Sequence, residues 1–242
     1  MPGYILHLAE AKLICSELKK HGHSLLEQWE NEFYLGCLLP DTKQKQAKVT
    51  SHFWNPETLD RQAIPPDLHL FLGKYAPQIT TPVMYGYWAH LLLDTLFVTE
   101  YWENHFFFYD KNGIPAVLEK EIETVYLKPS QKEIPLKKFF SSEYYYGDYN
   151  KMNAYIAGKY KIELPVYEPD LFCPVAEVSV MDLQNVLLEL KTLALDFTDS
   201  DIPDLKVFSL PDLEQFIQAA AKITADQIQN HTYSIPGKTI PN

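Results

Sequence analysis

The stretch from Tyr85 to Trp102, YGYWAHLLLDTLFVTEYW, constrains this chain more than any other. Its length and apolar density predict a largely buried helix, yet it carries His90 and Asp94. Four positions apart on a helix, the two side chains project from one face. An unpaired carboxylate among Leu91, Leu92, Leu93, Leu96 and Phe97 costs several kcal/mol or neutralises itself. A divalent metal held by both residues would compensate the charge. So would an Asp–His hydrogen bond or a salt bridge to a lysine, and the helix alone leaves these alternatives open.

The 242 residues are 46% hydrophobic, enough for a sizeable core in one large domain or two small ones. A formal net charge of −11 argues against a general nucleic-acid-binding surface, which needs clustered Lys and Arg. A soluble enzyme or an interaction module remains. Cys15, Cys37 and Cys173 are odd in number and widely spaced, with no CxxC pair, so neither a zinc ribbon nor a disulfide framework is expected. Small buried thiols in a reducing compartment fit better. The opening MPGYILHLAEAKLI lacks the continuous apolar core of a signal peptide. No run reaches the roughly 18 apolar residues of a transmembrane segment. A cytoplasmic location is the expectation.

Residues 4–20 place Ile5, Leu8, Leu13, Ile14 and Leu18 near helical spacing, with His7 in the first turn. Residues 25–39 predict a second helix, stopped by Pro40, with Asp41 immediately after. The lysines at 43, 45 and 48 lie in a stretch without apolar periodicity, read as an exposed loop that could also meet an anionic substrate. His52 is followed by Phe53 and Trp54, and a Pro-rich segment holds one helical piece, LHLFLGKYAP. Past the central helix come an Asn-Gly turn at 112–113, an ambiguous segment at 117–128, and a Tyr-dense helix with six tyrosines between 144 and 160. Those rings read as core packing rather than a base-stacking platform. Two amphipathic helices, 180–195 and 210–229, close the pattern, the second with Pro in its first turn and Asp212 just inside. The fold class is all-α: a multi-helix bundle in a single domain over 1–242, with the polar pattern in 1–105 and further helices over 106–242.

Asp41, His52, His90 and Asp94 together make a nitrogen/oxygen ligand set suited to zinc, manganese or iron. Their order and spacing resemble the zinc-dependent phospholipase C family and the related single-strand-specific zinc nucleases. The resemblance implies an all-helical fold with one zinc held by Asp41, His52, His90 and Asp94. It further implies that Asp94 bridges to a second zinc bound by His7 and by the chain's terminal amine, at Pro2 if Met1 is removed. The family's third zinc lacks its later His-x-x-x-Asp/Glu pair here; Glu100 stands where one ligand is expected, and Glu143 or Asp148 would have to complete it. Otherwise the chain holds two metals at most.

The activity implied is hydrolysis of phosphodiester or phospholipid-headgroup substrates by metal-activated water, with Asp94 and Glu100 as candidate catalytic groups. A small soluble phosphoester is as good a partner as a lipid headgroup, since the acidic surface would be repelled by anionic bilayers. The alternative is a non-catalytic helical binding module with a degenerate or structural metal site. An HD-type phosphohydrolase needs an adjacent His-Asp dipeptide, and none occurs; nor do GxSxG, HExxH, GxGxxG or P-loop motifs.

Overall fold

The computed structural model describes residues 2–43, 47–194 and 204–233. Ten α-helical elements follow in chain order: α1 (Tyr4–Lys20), α2 (Glu27–Leu38), α3 (Lys48–Ser51), α4 (Leu68–Tyr75), α5 (Pro82–Leu96), α6 (Glu103–His105), α7 (Leu136–Phe139), α8 (Tyr145–Tyr160), α9 (Leu183–Ala194) and α10 (Leu210–Asn230). The expected helices are all present, with their ends shifted by a few residues. Helix α5 is buried over nearly its whole surface, as its composition requires, and α1, α2, α4 and α10 pack around it. Helix α10 begins as its sequence predicts: the Ser209 hydroxyl accepts from the Asp212 amide at 3.4 Å, and Pro211 occupies the first turn.

Two glycines set the distance between α2 and α5. A Cβ added at Gly36 would lie 2.2 Å from the Val83 carbonyl oxygen, and one added at Gly86 would lie 2.1 Å from that of Phe33. The two backbones therefore touch, and α5 can bring His90 directly against the carbonyl end of α2.

The fold departs from an all-α bundle in two places. Strands β1 (Phe106–Tyr109), β2 (Thr124–Leu127) and β3 (Lys132–Pro135) form an antiparallel sheet in the order β1-β2-β3. In β2, Val125 and Leu127 are buried while Thr124 and Tyr126 are half-buried, the period-two alternation of a strand with one face on the core. Trp102, Phe106, Phe139 and Tyr145 pack edge-to-face beside the sheet. The Asn-Gly turn is present, Gly113 adopting φ +74 and its amide donating to the Asp110 carbonyl at 3.0 Å. The second departure is at the end of the central helix, where Phe97–Trp102 continue α5 as a π-helical turn. Pro40 also behaves differently from a plain stop: it initiates a 3-10 turn over Leu39–Thr42.

Candidate metal centre

Residues from four segments meet beneath the surface. His7 comes from the first turn of α1, Asp41 from the 3-10 turn after α2, His52 from the cap of α3, and His90 and Asp94 from α5. None of these residues is more than 5% exposed. The two segments after α2 are tied together by Ser51, whose hydroxyl donates to the Pro40 carbonyl at 2.8 Å, and by Tyr87, whose hydroxyl donates to the Ser51 carbonyl at 2.6 Å. Asp41 and His52 are thereby fixed to each other and to α5.

The tautomers follow from these contacts. His90 Nδ1 lies 2.7 Å from the Cys37 carbonyl oxygen, an acceptor only, so Nδ1 carries the proton. His52 Nδ1 lies 3.0 Å from Ser51 Oγ, whose own hydrogen is already given to Pro40, so here too Nδ1 donates. Both Nε2 lone pairs then face the same small space, 3.3 Å apart. Two lone pairs at that distance repel unless a cation lies between them, either a proton on His90, whose pKa is raised, or a metal ion. Such orienting bonds on the far ring nitrogen are the usual support of a metal-ligating histidine.

The carboxylates complete the arrangement. Asp41 Oδ1 is 3.3 Å from His52 Nε2, while Asp94 Oδ2 is 3.5 Å from His52 Nε2 and 3.6 Å from His90 Nε2. The edge of a tetrahedron with metal–ligand bonds of about 2.0–2.1 Å is about 3.4 Å. These separations lie near that value; Asp41, His52 and His90 form one group of possible ligands, and Asp94 joins His7 and His90 in a second. Asp94 Oδ1 points the other way, 3.4 Å from His7 Nε2. The ring of His7 stacks on His90 with centroids 3.7 Å apart. One carboxylate thus faces two groups of ligands, as a bridging residue would. Both ring nitrogens of His7 and both oxygens of Asp94 are buried without a hydrogen-bond partner.

The electrostatics agree with the geometry. Burial and the neighbouring His90 push His7 down to about 4, so this imidazole is neutral at physiological pH. Burial also lowers His52. For Asp94, burial works to raise the carboxyl, but His90 and His7 outweigh it and hold the group ionised, far below the usual range. Asp41 is likewise held down, burial being outweighed by His52, His90 and Lys48. His90 moves up, because Asp94 more than offsets its burial. His7 and His52 are thus held towards the neutral imidazole and Asp41 and Asp94 as carboxylates, the states that ligate, while His90 is drawn towards its protonated form by Asp94 and would release that proton to a metal.

The other residues with predicted roles lie elsewhere. Glu100 is exposed on the π-helical turn, outside the groups of potential ligands among the described residues. Asp148 is buried but committed, accepting from the amides of Lys206 at 2.7 Å and Val207 at 2.6 Å. Glu143 is exposed and pairs with Lys206 at 3.5 Å. The expectation of a terminal amine at the second metal falls on Pro2, which is buried; Met1, whose removal it needs, lies outside the described residues. So does the loop lysine Lys45, whereas Lys43 pairs with Asp182 at 2.7 Å and Lys48 with Asp41.

Sequence reasoning missed Glu10. It lies one turn along α1 from His7, is fully buried, and has Oε2 without a partner. Its neighbour is Thr224, 3.3 Å from Oε1 and itself donating to the Ala220 carbonyl at 3.0 Å. A protonated Glu10 can therefore donate to the threonine oxygen. Burial raises the carboxyl well above its ordinary value, and the charge on Asp94 adds to this despite the threonine contact. For an acid whose folded pKa is raised, the unfolded chain ionises first. Stability is then full below the unfolded carboxylate range and declines as pH rises towards the folded value. Glu10→Gln is expected to abolish this decline, so that the variant melts higher than the wild type at neutral and alkaline pH but not at pH 4. Thermal denaturation across that range checks it.

No helix among the described residues is long and apolar enough to cross a membrane. Comparison with protein-family models, with curated proteins and with solved structures finds no match to this chain.

Proposed function

We propose that the chain is a metal-dependent hydrolase of phosphodiester or phospholipid-headgroup substrates, with zinc as the favoured ion. One observation supports the reading: His7, Asp41, His52, His90 and Asp94 are buried and form two groups of possible ligands that share His90, namely His7–His90–Asp94 and Asp41–His52–His90. Asp41, His52, His90 and Asp94 Oδ2 would hold the ion, and His7 with Asp94 Oδ1 would serve a second one. A divalent cation there supplies a water of lowered pKa and neutralises charge on the phosphoryl oxygens. The chain's contribution is placement. Cys37 and Ser51 fix the imidazole rings, the α2–α5 contact fixes Asp94, and the surrounding core excludes bulk water.

A second reading has its own support. The five residues are all buried, at 5% exposure or less, and a closed site is the pattern of structural zinc, whereas a catalytic one keeps a position free for water. On that reading the protein is a helical binding module stapled by a metal.

Metal analysis of protein purified without chelator, paired with hydrolysis of bis(p-nitrophenyl) phosphate, separates the two. The hydrolase predicts bound zinc together with turnover that a chelator removes and zinc restores. Bound zinc without turnover on any phosphodiester favours the staple. Protein that binds no divalent cation refutes both.

A further inference from the structure

We propose that the Lys48 ammonium is an internal stand-in for the metal, released from Asp41 when a divalent cation binds and then free to take an anionic oxygen of the substrate. The proposal rests on the metal reading of the centre. Lys48 Nζ lies 2.5 Å from Asp41 Oδ1, the same oxygen that stands 3.3 Å from His52 Nε2. That carboxylate belongs to the ligand group Asp41–His52–His90. The Asp41 side chain is 6% exposed and that of Lys48 31%, so the ammonium reaches in from the surface and the carboxylate has little water to turn to.

Lys48 begins α3, and His52 caps the same helix one turn later. One short element therefore delivers both a ligand and the competing cation. A metal ion and an ammonium on a single carboxylate oxygen repel strongly where water screens little. The lysine, on its flexible four-carbon stem, is the partner that can leave. Once it swings off Asp41 it remains tethered within a side chain's length of the centre. An ammonium there complements the charge of a phosphoester, whereas Lys43 is already occupied by Asp182.

Two measurements test the exchange on the full chain. In the first, chelator-treated wild type and zinc-loaded wild type are treated with acetic anhydride and each lysine is scored by peptide mass spectrometry. Lys48 acetylation is expected to rise severalfold with zinc, while Lys43 is unchanged. Equal or lower labelling of Lys48 with zinc overturns the proposal even if zinc is bound. In the second, zinc affinity is measured by chelator competition for wild type, Lys48→Met and Lys48→Arg. Removing the competing cation is expected to tighten binding about tenfold in Lys48→Met, with Lys48→Arg near wild type. Equal affinity of wild type and Lys48→Met refutes the exchange and leaves the metal centre standing. Failure of all three to bind zinc refutes the centre itself and the exchange with it.

Discussion

Asp94→Asn is expected to lose at least about 100-fold in zinc affinity, more than the loss typical of a residue that merely supports a ligand. Phosphodiester turnover should fall with it. Asparagine keeps the shape of the side chain and removes its charge, so the helical fold should survive by circular dichroism. The effect is large because Asp94 serves both ligand groups: Oδ2 faces His52 and His90, and Oδ1 faces His7. Glu100→Gln is the control. Its carboxylate is exposed and apart from the centre, so metal content and turnover should match the wild type. Equal zinc content in Asp94→Asn and wild type would count against the whole assignment.

Gly36→Ala and Gly86→Ala should each cost about 3 kcal/mol or more of stability, the upper end for overpacking a core. The added methyl meets backbone in both cases, the Val83 carbonyl oxygen at 2.2 Å and that of Phe33 at 2.1 Å, and backbone cannot rotate aside as a side chain can. The two helices would have to part. Because the Cys37 carbonyl that orients His90 sits beside this contact, zinc affinity should fall together with the melting temperature. Chemical denaturation read alongside metal analysis checks both. A variant with wild-type stability would mean that the backbones are not in contact.

The centre was legible in outline because its logic is local. His90 and Asp94 share a helical face by spacing alone, and Asp94 stands out as a charge among leucines. His7, Asp41 and His52 carry no such signature, being a helix-start histidine, an aspartate after a proline and a loop histidine. Only their order along the chain, which resembles the spacing in the zinc-dependent phospholipase C family, linked them to the pair. Glu100 was misplaced because its assignment rested on that spacing alone. Glu10 was overlooked because an acid near the start of an amphipathic helix normally faces water, and nothing local announces that α10 will cover it. The helices were readable from apolar periodicity. The sheet was not: β1 is the continuous aromatic run Phe106–Tyr109, and the alternation in Thr124–Leu127 spans only four residues among charged neighbours. Such short strands are held by the pairing and packing they meet in the fold, β2 pairing with both β1 and β3, more than by their own sequence.

The ligands come from α1, the turn after α2, the cap of α3 and α5, so an ion gripping them would be a knot joining the first helix to the middle of the chain. Since the unfolded polypeptide has no such grip, every increment of occupancy adds to the free energy of the native state. The melting point of this protein would then report the availability of free zinc in its surroundings, and scarcity of the ion would be felt first as a softening of the link between its opening helix and the rest.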